Sequence, residues 1–160
     1  LQGDSIGGTV SFEVTGLPVG FGEPIYEKLE AKLAHAMLTI PATKGFEIGE
    51  GFRAAQMQGS MHNDAFISLN GTQKTNHAGG ILGGISTGMP IVGRVAFKPT
   101  SSISVPQETI DLNGKPQSFQ LPSGSRHDPC VAIRGVAVVR AMCYLVLVDA
   151  MLANRLVRLS

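Results

Sequence analysis

The sequence has no tryptophan, only two cysteines, few aromatic residues (6%) and no surplus of charge of either sign. Each shortage excludes something. Cys130 and Cys143 lack CxxC or zinc-ligand spacing, so neither a disulfide framework nor a metal site is expected. Both read as reduced core residues, which fits a cytoplasmic compartment. Thirteen basic residues against twelve acidic ones leave a net charge of +1, so the electrostatic footprint of a nucleic-acid binder is missing. The longest apolar stretch, Val136 to Leu147, is interrupted by Arg140 and falls short of the roughly 20 residues a membrane span needs, so no membrane partner is expected. No signal-peptide pattern opens the chain, and its start at Leu1 without an initiator Met reads as a fragment or a processed product.

Glycine and core-forming residues are plentiful. A chain of 160 residues that is 43% hydrophobic can bury a sizeable core without disulfides, as one domain or a piece of a larger one. Between Gly8 and Thr15, Val10, Phe12 and Val14 alternate with Ser11, Glu13 and Thr15, the period of a half-buried strand. From Pro24, the residues Ile25, Leu29, Leu33 and Met37 recur at helical spacing, and the helix should stop before Pro41. A brief strand and turn are expected over Gly45 to Gly51, then a long functional loop over Met61 to Gly88, polar at first and later glycine-rich. Ile91 to Phe97 reads as a strand. Thr109 to Leu112 and Gln117 to Leu121 bracket an Asn113-Gly114 hairpin turn. Gly135 to Leu156 is apolar almost all round, including Val138, Leu145 and Leu152, so a long helix buried on most faces is expected. The sum is an α+β fold of antiparallel sheet and packed helices.

Three stretches could carry chemistry. In Asn76 to Gly88, five glycines could let backbone amides converge on an anion or a flat ring, although neither a P-loop nor a dinucleotide fingerprint is present, and a flexible or tightly packed glycine turn is an equal reading. Lys98-Pro99-Thr100-Ser101-Ser102 offers a cation, hydroxyls and backbone amides at a strand end, suited to a phosphate or flavin edge; a solvated turn is the plainer alternative. Arg126-His127-Asp128-Pro129 puts an anion clamp and an acid/base group in one turn, against the alternative of a local ion pair and helix entry. His35 reads as structural or exposed and His62 as a loop residue.

Six segments in order, Gly3-Asp4-Ser5-Ile6-Gly7-Gly8, Gly22-Glu23-Pro24, Lys44 to Gly49, Asn76 to Gly88, Ala96 to Ile103 and Arg126 to Val131, resemble chorismate synthases. The resemblance covers nearly the whole chain, so residues 1–160 correspond to a single C-terminal portion of that family's domain. It implies helices between two antiparallel sheets, a homotetramer, and the anti-1,4-elimination of phosphate from 5-enolpyruvylshikimate-3-phosphate with reduced FMN. NADPH serves as flavin reductant in some relatives.

Residue by residue, the resemblance puts flavin contacts on Pro41, Ala42, Gly83, Lys98, Pro99, Thr100, Ser101, Ser102 and Arg126. Arg126 would also meet the anionic substrate, and Asp128 would manage a proton near the flavin. The family's two acid histidines and most of its substrate arginines belong to the N-terminal part, and neither His77 nor His127 matches them. The chain alone is therefore expected to be inactive. A non-catalytic scaffold or oligomerisation module derived from such an enzyme is the alternative.

Overall fold

The computed structural model describes residues 3–69 and 71–157. Its centre is a three-stranded antiparallel sheet in the order β1 (Gly8–Val14), β5 (Ile91–Phe97), β2 (Thr43–Ile48), with β5 hydrogen-bonded on both sides. Alternation decides which face is buried. Ile91, Val95 and Phe97 of β5 and Val10 of β1 point to the core, while Thr9, Arg94 and Lys44 lie exposed. Arg94 instead pairs with Glu47 of the neighbouring strand. Phe12 and Phe46 stack on the inner face across β5, with centroids 6.2 Å apart.

Two helices cover that inner face. Helix α1 (Leu29–Thr39) buries Leu29, Leu33, Ala36 and Met37, positions i, i+4, i+7 and i+8 of one stripe. It begins at Leu29, later than the expected start at Pro24. The reason is tertiary: the Leu29 N–H donates to the carbonyl of Gly84 at 2.9 Å, and Ile25 sits at φ 66°, so residues 24–28 form a turn and Ile25 is exposed. At its other end the helix stops before Pro41, as expected, and Ala42 follows in the left-handed region at φ 69°.

The long C-terminal helix, α3 (Ala132–Val157), corrects the reading from apolar content. Its 26 residues make it long and apolar enough to cross a membrane by length and composition, unlike the short stretch expected from the sequence. It is also not buried on most faces. One stripe, Ala132, Gly135, Val139, Cys143, Leu147 and Ala150, packs on the sheet and α1, whereas Leu145 and Leu152 are 65% and 54% exposed. Burial of its thiol pushes the pKa of Cys143 up to about 11, so the side chain behaves as a small apolar group.

Between β2 and β5 the chain makes a 3₁₀ turn (Gly51–Gln56), a one-turn helix α2 (Gly59–His62), and a minimal hairpin of β3 (Ile81–Leu82) and β4 (Ile85–Ser86). The stretch expected as a long loop is thus pinned at several of its described residues. The Asp64 carboxylate accepts bonds from the Thr75 hydroxyl (2.7 Å) and the backbone N–H groups of His77 (2.8 Å) and Ala78 (2.9 Å). Burial works to raise its pKa, but these three donors outweigh burial and hold it below the ordinary 3.8.

After β5 comes an exposed hairpin, β6 (Gln107–Ile110) with β7 (Pro116–Phe119). Its turn is wider than the two-residue Asn113-Gly114 turn expected. Only Gly114 is left-handed (φ 78°), and Asp111 closes the loop by accepting the N–H groups of Asn113 and Lys115 on its carboxylate at 2.8 and 2.9 Å. Those two donors hold the Asp111 pKa below its ordinary value.

Ala42 carries a local prediction. An L-residue in the left-handed region costs about 1 kcal/mol or more. Ala42→Gly is expected to leave stability unchanged or raise it by up to about 1 kcal/mol, and Ala42→Val to lower it by more than 1 kcal/mol in urea unfolding. A tolerated valine would contradict the left-handed backbone at this position.

Candidate functional site

Strand β5 ends by delivering its buried Phe97 beneath α3 and then releases Lys98–Ser102 into solvent. Register brings other segments to that same end. Gly8 of β1 and Thr43 of β2 both stand opposite Phe97, and the Lys98 N–H donates to the Ala42 carbonyl at 2.8 Å. Pro41 and Ala42 therefore adjoin the Lys98 loop. The turn carrying Arg126 and Asp128 arrives at the same place because it enters α3, whose first turn lies against Gly8. A cleft of about 320 Å³ opens here, lined by Ser5, Ser102, Ser104, His127 and Asp128 among others.

The wall of this cleft carries the carboxylates Asp4 and Asp128, and the donors suited to an anion stand in the loops beside it. Lys98 and Arg126 are exposed and make no ion pair among the described residues. The backbone N–H groups of Thr100, Ser101 and Ser102 donate to no acceptor among those residues either. Two cations and a run of unused amides are what a phosphate or carboxylate needs. Asp128 is the one carboxylate of its turn, and it pairs with Arg134 through Oδ2 at 3.1 Å, so the local ion pair weighed from the sequence is present. Its Oδ1 has no protein partner among the described residues.

Gly83 is not brought to this cleft. It lies in the β3–β4 turn, which caps the opposite end of α1 through Gly84 and precedes the far end of β5. A seven-residue strand separates the two ends by roughly 20 Å. The glycines around it serve backbone contact: a Cβ on Gly80 would meet the carbonyl oxygen of Met89 at 2.8 Å, whereas Gly83 faces open space. The tightly packed glycine turn thus describes Gly80 and not Gly83.

A larger cleft of about 620 Å³ lies at the far end too, between α1, β2 and the 3₁₀ turn, with Phe46, Ile48, Phe52, His62 and His77 in its wall. The His77 ring pairs with Glu50 at 2.9 Å, and that bond is the main reason the Glu50 carboxyl sits below its ordinary pKa. Size does not make this cleft the chemical site, because its wall is mostly apolar; of its two carboxylates, Glu47 pairs with Arg94, and Glu30 keeps Oε2 buried without a hydrogen-bond partner among the described residues. Among the described residues no group of three His, Cys, Asp or Glu could hold a metal ion.

Comparison with known proteins matches this arrangement to one family. The family model described as chorismate synthase matches residues 1–152. The chain belongs to the chorismate synthase family. It is 58% identical over 161 residues to the chorismate synthase of Protochlamydia amoebophila (strain UWE25), covering 99% of this chain and 44% of that one. With the chorismate synthase of Methylacidiphilum infernorum (isolate V4) the identity is 50% over 162 residues, covering 99% and 43%. A solved crystal structure of chorismate synthase superposes with a TM-score of 0.74 at 32% identity, over 95% of this chain and 39% of that one. The chain thus spans about two fifths of the length of the chorismate synthases it matches, and the α+β reading with antiparallel sheets agrees with that neighbour.

Sequence reading missed the part that Gly3–Gly8 plays in the cleft. The segment helped to mark the family, yet nothing local in Gly-Asp-Ser predicts where it lies. It became visible only through contacts with loops about 95 and 123 residues away.

Proposed function

We propose that this chain is the flavin-binding portion of an enzyme that eliminates phosphate from 5-enolpyruvylshikimate-3-phosphate to give chorismate. The observation that carries the reading is that the Lys98–Ser102 loop, with its unused amides, and the Arg126–Asp128 turn flank one cleft at one end of the sheet, to whose wall Ser102 and Asp128 belong. That donor set fits the anionic and hydrogen-bonding edges of reduced FMN: a point charge, a run of N–H groups, and hydroxyls of Ser101 and Ser102. Reduced FMN, when bound, supplies the electron density that lets phosphate leave without net redox change. The protein's residues do the rest. Lys98 and the loop amides bind and orient, and Pro41 and Ala42 contribute backbone and van der Waals surface beside the loop, whose Lys98 amide the Ala42 carbonyl accepts. Arg126 clamps a phosphate or carboxylate oxygen, and Asp128 takes a proton on Oδ1 while Arg134 holds Oδ2.

The chain by itself is inactive in this reading, since the acid histidines and most substrate arginines of the family have no counterpart in it. The exposed apolar face of α3 supports a role within a larger assembly, where further polypeptide covers Leu145, Val148 and Leu152. A cytoplasmic homotetramer accords with the two free cysteines and with the family.

The direct test is a titration of the 160-residue chain with FMN, followed by flavin fluorescence, in parallel with phosphate release by the polypeptide of the relatives' length. Saturable quenching is expected, with Arg126→Ala or Lys98→Ala weakening affinity by roughly tenfold, as removal of a charge-assisted contact does. A folded chain that leaves the flavin unquenched would support the scaffold reading instead.

A further inference from the structure

The segment from Gly3 to Gly8 threads between the two loops of the cleft and bonds to both. On one side the Ser104 N–H donates to the Gly3 carbonyl at 2.8 Å, and the Ser5 hydroxyl donates to the Thr100 carbonyl at 2.6 Å. On the other, the Ile6 N–H donates to the Pro129 carbonyl at 2.8 Å, and the Cys130 thiol reaches the Gly7 carbonyl at 3.8 Å. The thread is also tight: a Cβ on Gly7 would lie 2.6 Å from the Phe97 carbonyl oxygen and 3.3 Å from Pro99. Among the described residues, no hydrogen bond or ion pair joins Lys98–Ser104 to Arg126–Cys130 directly. Hydrogen bonding between the two loops therefore passes through this segment, beside the packing of Phe97 under α3.

We propose that Ser5 is a positioning residue, whose hydroxyl fixes the Lys98–Ser102 loop against the Arg126–Pro129 turn so that their donors address one ligand. The reasoning is energetic. Thr100 and its neighbours keep their N–H groups for the ligand, so side-chain bonds to their carbonyls are what can hold the loop without consuming those donors. Of the two polar atoms the segment sends into the Lys98–Ser104 loop, only the Ser5 hydroxyl belongs to a side chain, and it reaches the very residue whose amide begins the unused run. Losing it leaves the loop tethered at Gly3 and Ala42, with its middle held only by the exposed Gln107 side chain, whose amide donates to the Ser101 carbonyl at 3.2 Å. Ordering that middle then falls to the ligand, and affinity drops.

This inference rests on the flavin reading of the cleft, and the test separates the two. The variants Ser5→Ala, Ser5→Thr and the control Thr39→Ala are compared with the parent chain. Thr39→Ala removes a similar hydroxyl-to-carbonyl bond, 2.6 Å to Ala36, outside the cleft. Two readouts are taken: FMN affinity from fluorescence, and amide hydrogen exchange. Ser5→Ala should weaken FMN binding by roughly five- to tenfold. It should speed exchange at Ser104 and Ile6 while the β1–β5 ladder stays protected. Ser5→Thr should restore both, and Thr39→Ala should move neither. Faster exchange with unchanged FMN affinity would overturn the positioning role and leave Ser5 as a structural tether; unchanged exchange would overturn it outright. If the parent chain binds no FMN, the flavin reading fails, and faster loop exchange in Ser5→Ala alone would still support Ser5 as the residue that joins the two loops.

Discussion

Asp128→Asn is expected to lower turnover of the polypeptide of the relatives' length by roughly 10²- to 10⁴-fold, the usual worth of a positioned proton-handling group. FMN affinity should change by no more than about threefold, since asparagine keeps the shape and the lost partner is a weak one. Arg134, which holds Oδ2 at 3.1 Å, is 78% exposed, so the ion pair contributes little to stability. What asparagine removes is the capacity of Oδ1 to hold a proton. Arg126→Ala should give the opposite split, with binding weakened first, because a guanidinium contributes charge to an anion throughout the reaction. Steady-state chorismate formation and FMN titration on the same preparations separate the two patterns. Unchanged turnover in Asp128→Asn would remove the residue from proton handling, and an equal loss of FMN binding would recast it as a flavin contact.

Gly49→Ala is expected to destabilise the chain by roughly 2–4 kcal/mol, which for a domain of this size corresponds to a fall in Tm of about 5–15 °C. Two costs combine. Gly49 has φ 56°, where an L-residue is strained, and its Cβ would be forced into the backbone of His77, Ala78 and Gly79. Backbone there cannot rotate away as a flexible side chain could, and the neighbouring bonds resist a shift: the Gly49 N–H donates to Val92 at 2.8 Å and the Glu50 N–H to His77 at 2.9 Å. The site around Lys98 lies at the other end of β5, so the folded fraction should bind FMN as the parent does. Thermal unfolding by circular dichroism measures the first effect. A Tm within about 2 °C of the parent would mean that the β2 end and the glycine segment do not approach as closely as these contacts require.

Local pattern was a good guide where one face of an element meets one surface. The alternation of Val10, Phe12 and Val14, the run Ile91 to Phe97 and the stripe Leu29, Leu33 and Met37 all form as their spacing implies, because burial on one side writes a period into the sequence. It failed where a distant group decided the outcome. Pro24 is a good helix starter, yet the carbonyl of Gly84 receives the first amide at Leu29. Asn113-Gly114 suits a tight hairpin, yet the Asp111 carboxylate organises a wider loop. Apolar content on every side of α3 suggested deep burial, whereas one face is bare in a chain that spans about two fifths of its relatives.

The sequence by itself determined the family, through six ordered motifs, and the identity of the charged and hydroxyl groups available for chemistry, because both are properties of residue type and order. Only the tertiary structure decided which of those groups share a cleft. Antiparallel register set Gly8, Thr43 and Phe97 side by side, which gathers Ala42, Lys98 and the entry to α3 at one end and leaves Gly83 at the other. Strand pairing converts separation along the chain into proximity in space by a rule of length and direction, and no local composition carries that rule.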